Sequence, residues 1–188
     1  MLEWLVFFAF FFYVLISIGW HSWAYGITPT PTSTKVKKLV LKILPSEVKG
    51  KIVELGSGWG HLTLSLARHY PDNVIEAYEI SPIPYSISYI LNLWKQFSNL
   101  KLIKKDFFKI SLDGCGLIVC YLYPGAMEKL KVKFEKELAP GTFIVSHTFA
   151  IPGWVPLKLM HANDLYHTPV YLYQIKKGCQ QAGAQGFA

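Results

Sequence analysis

The chain has 188 residues, enough for one ordinary domain with a few dozen to spare, and its apolar share of 52% is high for an entirely soluble enzyme. Its formal charge of +7 calls for an anionic partner, and the run of lysines beside the apolar N-terminal segment favours lipid headgroups over nucleic acid. Cys115, Cys120 and Cys179 lack metal-ligand spacing and read as reduced thiols, so no metal site is expected.

The apolar excess is concentrated at the start. Residues 4–20 read WLVFFAFFFYVLISIGW without a charge, and about twenty such residues cross a hydrocarbon core of about 30 Å at about 1.5 Å each. Trp4 at one end and Trp20, Trp23 and Tyr25 at the other match interfacial aromatic belts. A cleaved signal would start with a basic region and run shorter, and a core helix would carry a polar stripe; neither fits. Residues 1–25 are therefore expected to be a transmembrane anchor. The lysines at 35, 37, 38 and 42, set against Glu3 before the span, put the following domain on the cytoplasmic side.

Residues 26–34 (GITPTPTST) are Pro- and hydroxyl-rich and predict an extended linker. A helix then starts with Thr34 as N-cap and ends before Pro45. From there strands and helices alternate: strand 51–55, helix 61–69, strand 74–80, helix 84–97, strand 100–104, strand 117–123, helix 128–138, and strands 141–149 and 170–175. This alternation predicts a doubly wound, mostly parallel α/β sheet covered on both faces, the last two strands forming an antiparallel pair at one side. The domain is read as 35–176, and 177–188 as a disordered tail or a remnant of cloning.

The segment richest in chemistry is Val53-Glu54-Leu55-Gly56-Ser57-Gly58-Trp59-Gly60, a strand entering a glycine-rich turn at a helix start. Such a turn lets the backbone approach a ligand and presents free amide N–H groups to it. Its G-x-G-x-G spacing differs from the G-x-G-x-x-G of dinucleotide binders. Glu79, with Ile80 beside it, ends the second strand about twenty residues on, where a carboxylate accepts from ribose hydroxyls. Asp106 and Phe107 follow the third strand, an acid for an adenine amino group and an aromatic to stack on it. Three elements at the C-terminal ends of three strands converge on one crevice, the place where open α/β sheets bind ligands.

Over about residues 35–176 the chain resembles the class I, seven-stranded S-adenosylmethionine-dependent methyltransferases. Their E/D-x-G-x-G-x-G motif matches Glu54, Gly56, Gly58 and Gly60, their ribose acid Glu79, and their adenine motif Asp106 and Phe107. More narrowly it is similar to the small membrane-anchored protein-lysine methyltransferases related to those acting on the ATP synthase c-subunit and the ADP/ATP carrier, which have prokaryotic relatives. That likeness rests on residues 31–35, on the glycine block and on residues 149–156 (FAIPGWVP). It implies a Rossmann-like sheet after one anchor helix, S-adenosylmethionine as cofactor held also by Ser57, and Thr32, Ser33 and Thr34 covering its methionine end. Trp59 and the Tyr121-Leu122-Tyr123-Pro124 stretch depart from the family pattern and bear on the substrate.

A methyl on a sulfonium is already activated, so an enzyme mainly aligns the nucleophile and excludes water. A lysine must first lose its proton, which an apolar aromatic wall favours. Tyr121 and Tyr123 are the candidates for that wall, and Pro124, His147 and Trp154 for the substrate lip. His147 is either a base or a satisfied core histidine. The leading expectation is methylation of a lysine in a membrane-associated protein; alternatives are methylation of a lipid amine headgroup and a nucleotide-sensing scaffold without catalysis.

Overall fold

The computed structural model describes residues 1–25 and 31–176, the first helix with only part of its side chains. In chain order the elements are α1 (Leu2–Tyr25), α2 (Thr34–Ile43), β1 (Lys51–Leu55), α3 (His61–His69), β2 (Ile75–Glu79), α4 (Pro82–Lys95), β3 (Leu100–Lys104), β4 (Cys115–Cys120), α5 (Pro124–Glu137), β5 (Phe143–His147), β6 (Lys158–His161) and β7 (Pro169–Gln174). Among the described residues no helix is long and apolar enough to cross a membrane. The expected linker residues 26–30 and tail 177–188 lie outside the described residues.

The strands form one seven-stranded sheet of order β3-β2-β1-β4-β5-β7-β6. The first five run parallel, and β7 is antiparallel to both β5 and β6. Parallel strands are covered on both faces, which is why β1 and β4 are buried almost throughout and, Lys51 and Glu54 apart, lack charged residues. On one face, Val36, Val40 and Ile43 of α2 pack with Leu62 and Leu66 of α3 over Ile52, Ile75 and Leu117. On the other, Met127, Leu130 and Phe134 of α5 pack over Val53, Ile118 and Ile144.

The structure corrects several boundaries. The N-cap of α2 is Ser33, whose Oγ accepts from Val36 N at 3.3 Å, so Thr34 is the first helical residue. The fourth strand stops at Cys120, three residues short of expectation, and α5 starts at Pro124, four residues early. Proline fits there because the first helical position needs no N–H partner. Between the expected strands 141–149 and 170–175, where no element was expected, lies β6, an edge strand that completes the sheet. Cys115 and Cys120 are buried free thiols, pushed up to about 12 by burial.

Candidate active site

The order in which successive strands are added reverses between the parallel neighbours β1 and β4: from β1 the strands progress outward to β2 and β3, from β4 to β5 and onward. Connections leaving these two neighbours diverge, opening a crevice beyond their C-terminal ends. The glycine turn after β1 and the Tyr121-Leu122 stretch after β4 meet there. A Cβ built on Gly56 would stand 3.0 Å from Leu122 Cδ2 and 3.9 Å from Phe107 Cε1. Gly60, with φ +79°, admits α3 against α4: a Cβ there would lie 2.6 Å from Ser88 Cβ.

Glu79 ties the turn to β2. One carboxylate oxygen accepts from Gly58 N at 2.8 Å and the other from Ser81 N at 2.7 Å. Each oxygen has a second acceptor site left. Ile80 follows, half-buried, and Trp59 sits half-buried in the turn. Below, Glu54 is buried and accepts from the Thr63 hydroxyl of α3. Burial pushes its carboxyl up to about 8 against the lowering effect of that bond, with the negative charge of Glu79 adding a smaller upward push. Ser57 Oγ is buried with no partner among the described residues. An orphaned hydroxyl at the mouth of the crevice, beside a carboxylate with spare acceptor sites, fits a polar ligand such as the ribose-methionine portion of S-adenosylmethionine.

At the end of β3, Asp106 caps a 3-10 turn over Phe107–Lys109, its Oδ1 accepting from Phe108 N at 2.9 Å. The Phe107 ring is buried against Phe108, centroids 4.6 Å apart, so it forms the floor of the crevice within the core. Across the crevice the Tyr121 ring lies on the buried His147 ring at 4.2 Å and 24°, and nearly parallel to Phe149 at 6.4 Å. His147 Nε2 is 3.3 Å from Thr32 Oγ1 and Nδ1 is 3.2 Å from Thr148 Oγ1, so both ring nitrogens are engaged. Burial lowers this histidine to about 4, and the ring is neutral near pH 7.

The structure thus joins Glu54, Gly56, Ser57, Gly58, Gly60 and Glu79 in one cluster, and Thr32, Tyr121 and His147 in a second. Ser33 spends its hydroxyl on the α2 cap, and Thr34 is exposed in the first turn. Tyr123 is the N-cap of α5 and rests on Gly125, with Pro124 exposed beside it. Trp154 belongs elsewhere in its contacts: Nε1 donates to Glu135 Oε1 of α5 at 3.1 Å and its ring packs edge-on against Tyr173 of β7. Sequence reasoning missed Thr63, whose only signal was a polar residue on the inward face of a short helix. It missed Thr148 as well, a non-glycine at φ +72° that turns the chain beside His147 and has no local sequence signature.

The switch-point crevice, the glycine turn and the acids at successive strand ends define a class I S-adenosylmethionine-dependent methyltransferase. Its fold is that of the RNA methyltransferase from Salinibacter ruber solved with S-adenosyl-L-homocysteine, at TM-score 0.67 and 24% identity, covering 79% of this chain and 95% of that one. Residues 54–158 match the ANTKMT methyltransferase domain, and the chain belongs to that family. A protein-lysine N-methyltransferase of Saccharolobus islandicus (strain REY15A) is 33% identical over 150 residues, covering 77% of this chain and 91% of the relative. The mouse adenine nucleotide translocase lysine N-methyltransferase is 30% identical over 113 residues, and the match spans about half of its length (48%).

Proposed function

We propose that the chain methylates the side-chain amine of a lysine in a membrane-associated protein, from a domain held at the cytoplasmic face by α1. The observation that carries the lysine part is the 33% identity to a protein-lysine N-methyltransferase across nine-tenths of that relative. Two facts support the anchor. The 24-residue α1 carries one charged residue, Glu3, and its described residues Phe7, Phe8, Phe11, Phe12 and Ile16 are exposed, uncovered by the domain. At about 1.5 Å per residue the helix is about 36 Å long, the length of a bilayer core, and its apolar character is read from residues 4–20 of the sequence, several of whose side chains lie outside the described residues.

The bound cofactor supplies a methyl already activated by the sulfonium. Glu79 and Ser57 would hold the ribose and methionine portions and Asp106 the adenine, and Thr32, bonded to His147, would close the methionine end. Tyr121, stacked on His147, and Tyr123 wall the approach of the lysine. An apolar aromatic wall disfavours the ammonium form, so the Nζ proton leaves to solvent before the amine is aligned. His147, neutral and bonded through both ring nitrogens, holds Tyr121 and Thr32 in place.

The test incubates native membranes from the source cells with the full chain and methyl-labelled S-adenosylmethionine. Label in methyllysine of membrane proteins is expected. Label in lipid amines would replace this reading with headgroup methylation, and label confined to soluble proteins would remove the membrane part.

A further inference from the structure

Helix α4 is built inside out for a helix on a soluble domain. Of its fourteen residues only Pro84 and Ser88 are buried. Ile87, Ile90 and Trp94 follow the i, i+3, i+7 spacing of one helical face, with Tyr89 and Leu93 flanking them, and all five are exposed, Trp94 at 80%. A contiguous apolar face of this kind marks a surface that meets something other than water.

Two further observations say what. First, α4 lies against α1, the helix read above as the anchor, so the stripe continues the apolar surface that α1 exposes. Second, α4 ends at a cleft of about 520 Å³ between α2 and α3 with an apolar floor, whose polar lining is Lys37, His61, Ser65, Arg68, His69 and Lys95, with no acidic residue among the described residues. Lys37 sits in the first turn of α2, and the nine residue steps from Tyr25 to Thr34 let that helix start at most about 32 Å along the chain from the end of α1. A cationic cleft at the end of an apolar helical stripe has the chemistry of an interfacial element: the stripe enters the acyl boundary and the cations meet anionic headgroups.

We infer that α4 and this cleft form a second membrane contact, with α4 lying in the plane of an anionic bilayer and the Lys37, Arg68 and Lys95 cleft receiving a lipid phosphate. The contact fixes the rotation of the domain about α1 and so the direction in which the crevice faces. It rests on the reading of α1 as an anchor, and the test separates the two.

The full chain, carrying Cys179→Ser and either Trp94→Cys or Val132→Cys, is labelled with an environment-sensitive nitrobenzoxadiazole dye; the other two cysteines are buried. Val132 is exposed on α5, across the sheet. The protein is reconstituted into vesicles of phosphatidylcholine alone or mixed with phosphatidylglycerol. Flotation with both kinds of vesicle reports the anchor. Dye at 94 should shift to the blue on the mixed vesicles, less on neutral ones, and dye at 132 on neither. The difference between lipids should shrink with added salt and vanish in Arg68→Glu/Lys95→Glu, whose affinity for S-adenosylhomocysteine should stay that of the parent. Flotation with the dye at 94 still in water overturns the inference while leaving the anchor standing, and points the stripe toward a protein partner. A blue shift equal in both lipids and indifferent to the charge pair overturns the headgroup cleft. Failure to float in either lipid overturns both readings.

Discussion

Two helices of equal length, α4 and α5, cover opposite faces of the sheet and both begin with proline, yet they meet their surroundings in opposite ways. The inner face of α5 buries Ala126, Met127, Leu130 and Phe134, the rest of the helix is lysine- and glutamate-rich, and Lys133 Nζ pairs with Glu137 Oε1 at 2.7 Å along its half-buried flank. In α4 the buried face is proline and serine and the bulky apolar residues point outward. The difference teaches that an outward apolar pattern is not a folding error: α4 lies over β2 and β3 with its small buried residues inward and meets α3 by close approach at Gly60 and Ser88. Helix α5 is a stability element, and α4 is a surface with a task.

The largest expected effect is on the α5 side. Phe134 is fully buried, so Phe134→Ala should cost about 3–5 kcal/mol in a denaturant melt of the full chain in mild detergent. A loss under 1 kcal/mol would erase the distinction between the helices. Next comes the attachment of α4. Gly60→Ala adds a left-handed Cβ 2.6 Å from Ser88 Cβ and should cost about 2–5 kcal/mol, combining backbone strain with overpacking. Ser88→Gly in the same chain should recover the packing part and leave the strain.

The third prediction sets buried ionisable groups against the exposed cations around α4. His147 is held down at about 4, below its ordinary 6.5, so the unfolded chain binds the extra proton between those values. Its contribution therefore rises with pH from about 4 to 6.5 and is lost on acidification, by about 3 kcal/mol in all. Glu54 is held up at about 8, so its contribution falls as pH rises from 4.5 to 8. The two offset each other between 4.5 and 6.5. In His147→Gln, melts across that range should therefore show stability falling with pH where the parent is nearly flat; a parent that already falls would mean His147 titrates normally in the folded chain, and a flat variant would mean that Glu54 does.

Glu79→Ala removes the acceptor of Gly58 N and Ser81 N and should weaken S-adenosylhomocysteine by about 1–3 kcal/mol in calorimetry, the cost of a lost charge-assisted hydrogen bond. Unchanged affinity would place the ribose elsewhere. The smallest effect belongs to the α4 stripe: Ile90→Ser should change stability in detergent by less than about 0.5 kcal/mol, since the side chain is already half exposed. A large loss would mean α4 is held by its apolar residues after all.

Much of the cofactor half was legible because parallel strands announce themselves. Strands β1 and β3 and helix α3 have the bounds that periodicity predicted, each being a short apolar or amphipathic run cut by glycine, proline or a charged pair. The edge strand β6, residues KLMH, was not legible: it has four residues, little burial and no alternation, and exists because β7 presents an open edge to it. Tyr121 was misplaced inside a strand because LIVCYLY carries β propensity throughout, while the ladder with β5 ends at the Cys120–Ser146 pair.

By itself the sequence determined the strand-helix alternation, the glycine turn and the acids at strand ends, since these depend on local periodicity and on spacings within a few residues. The tertiary structure alone decided that Thr32 reaches His147 across 115 residues, that Phe107 faces the core rather than open space, and that Trp154 is tied to α5. Such contacts are set by which strands become neighbours and by where α2 lands on the sheet. Those choices are made by burying apolar area over the whole chain, and no short window of residues encodes them.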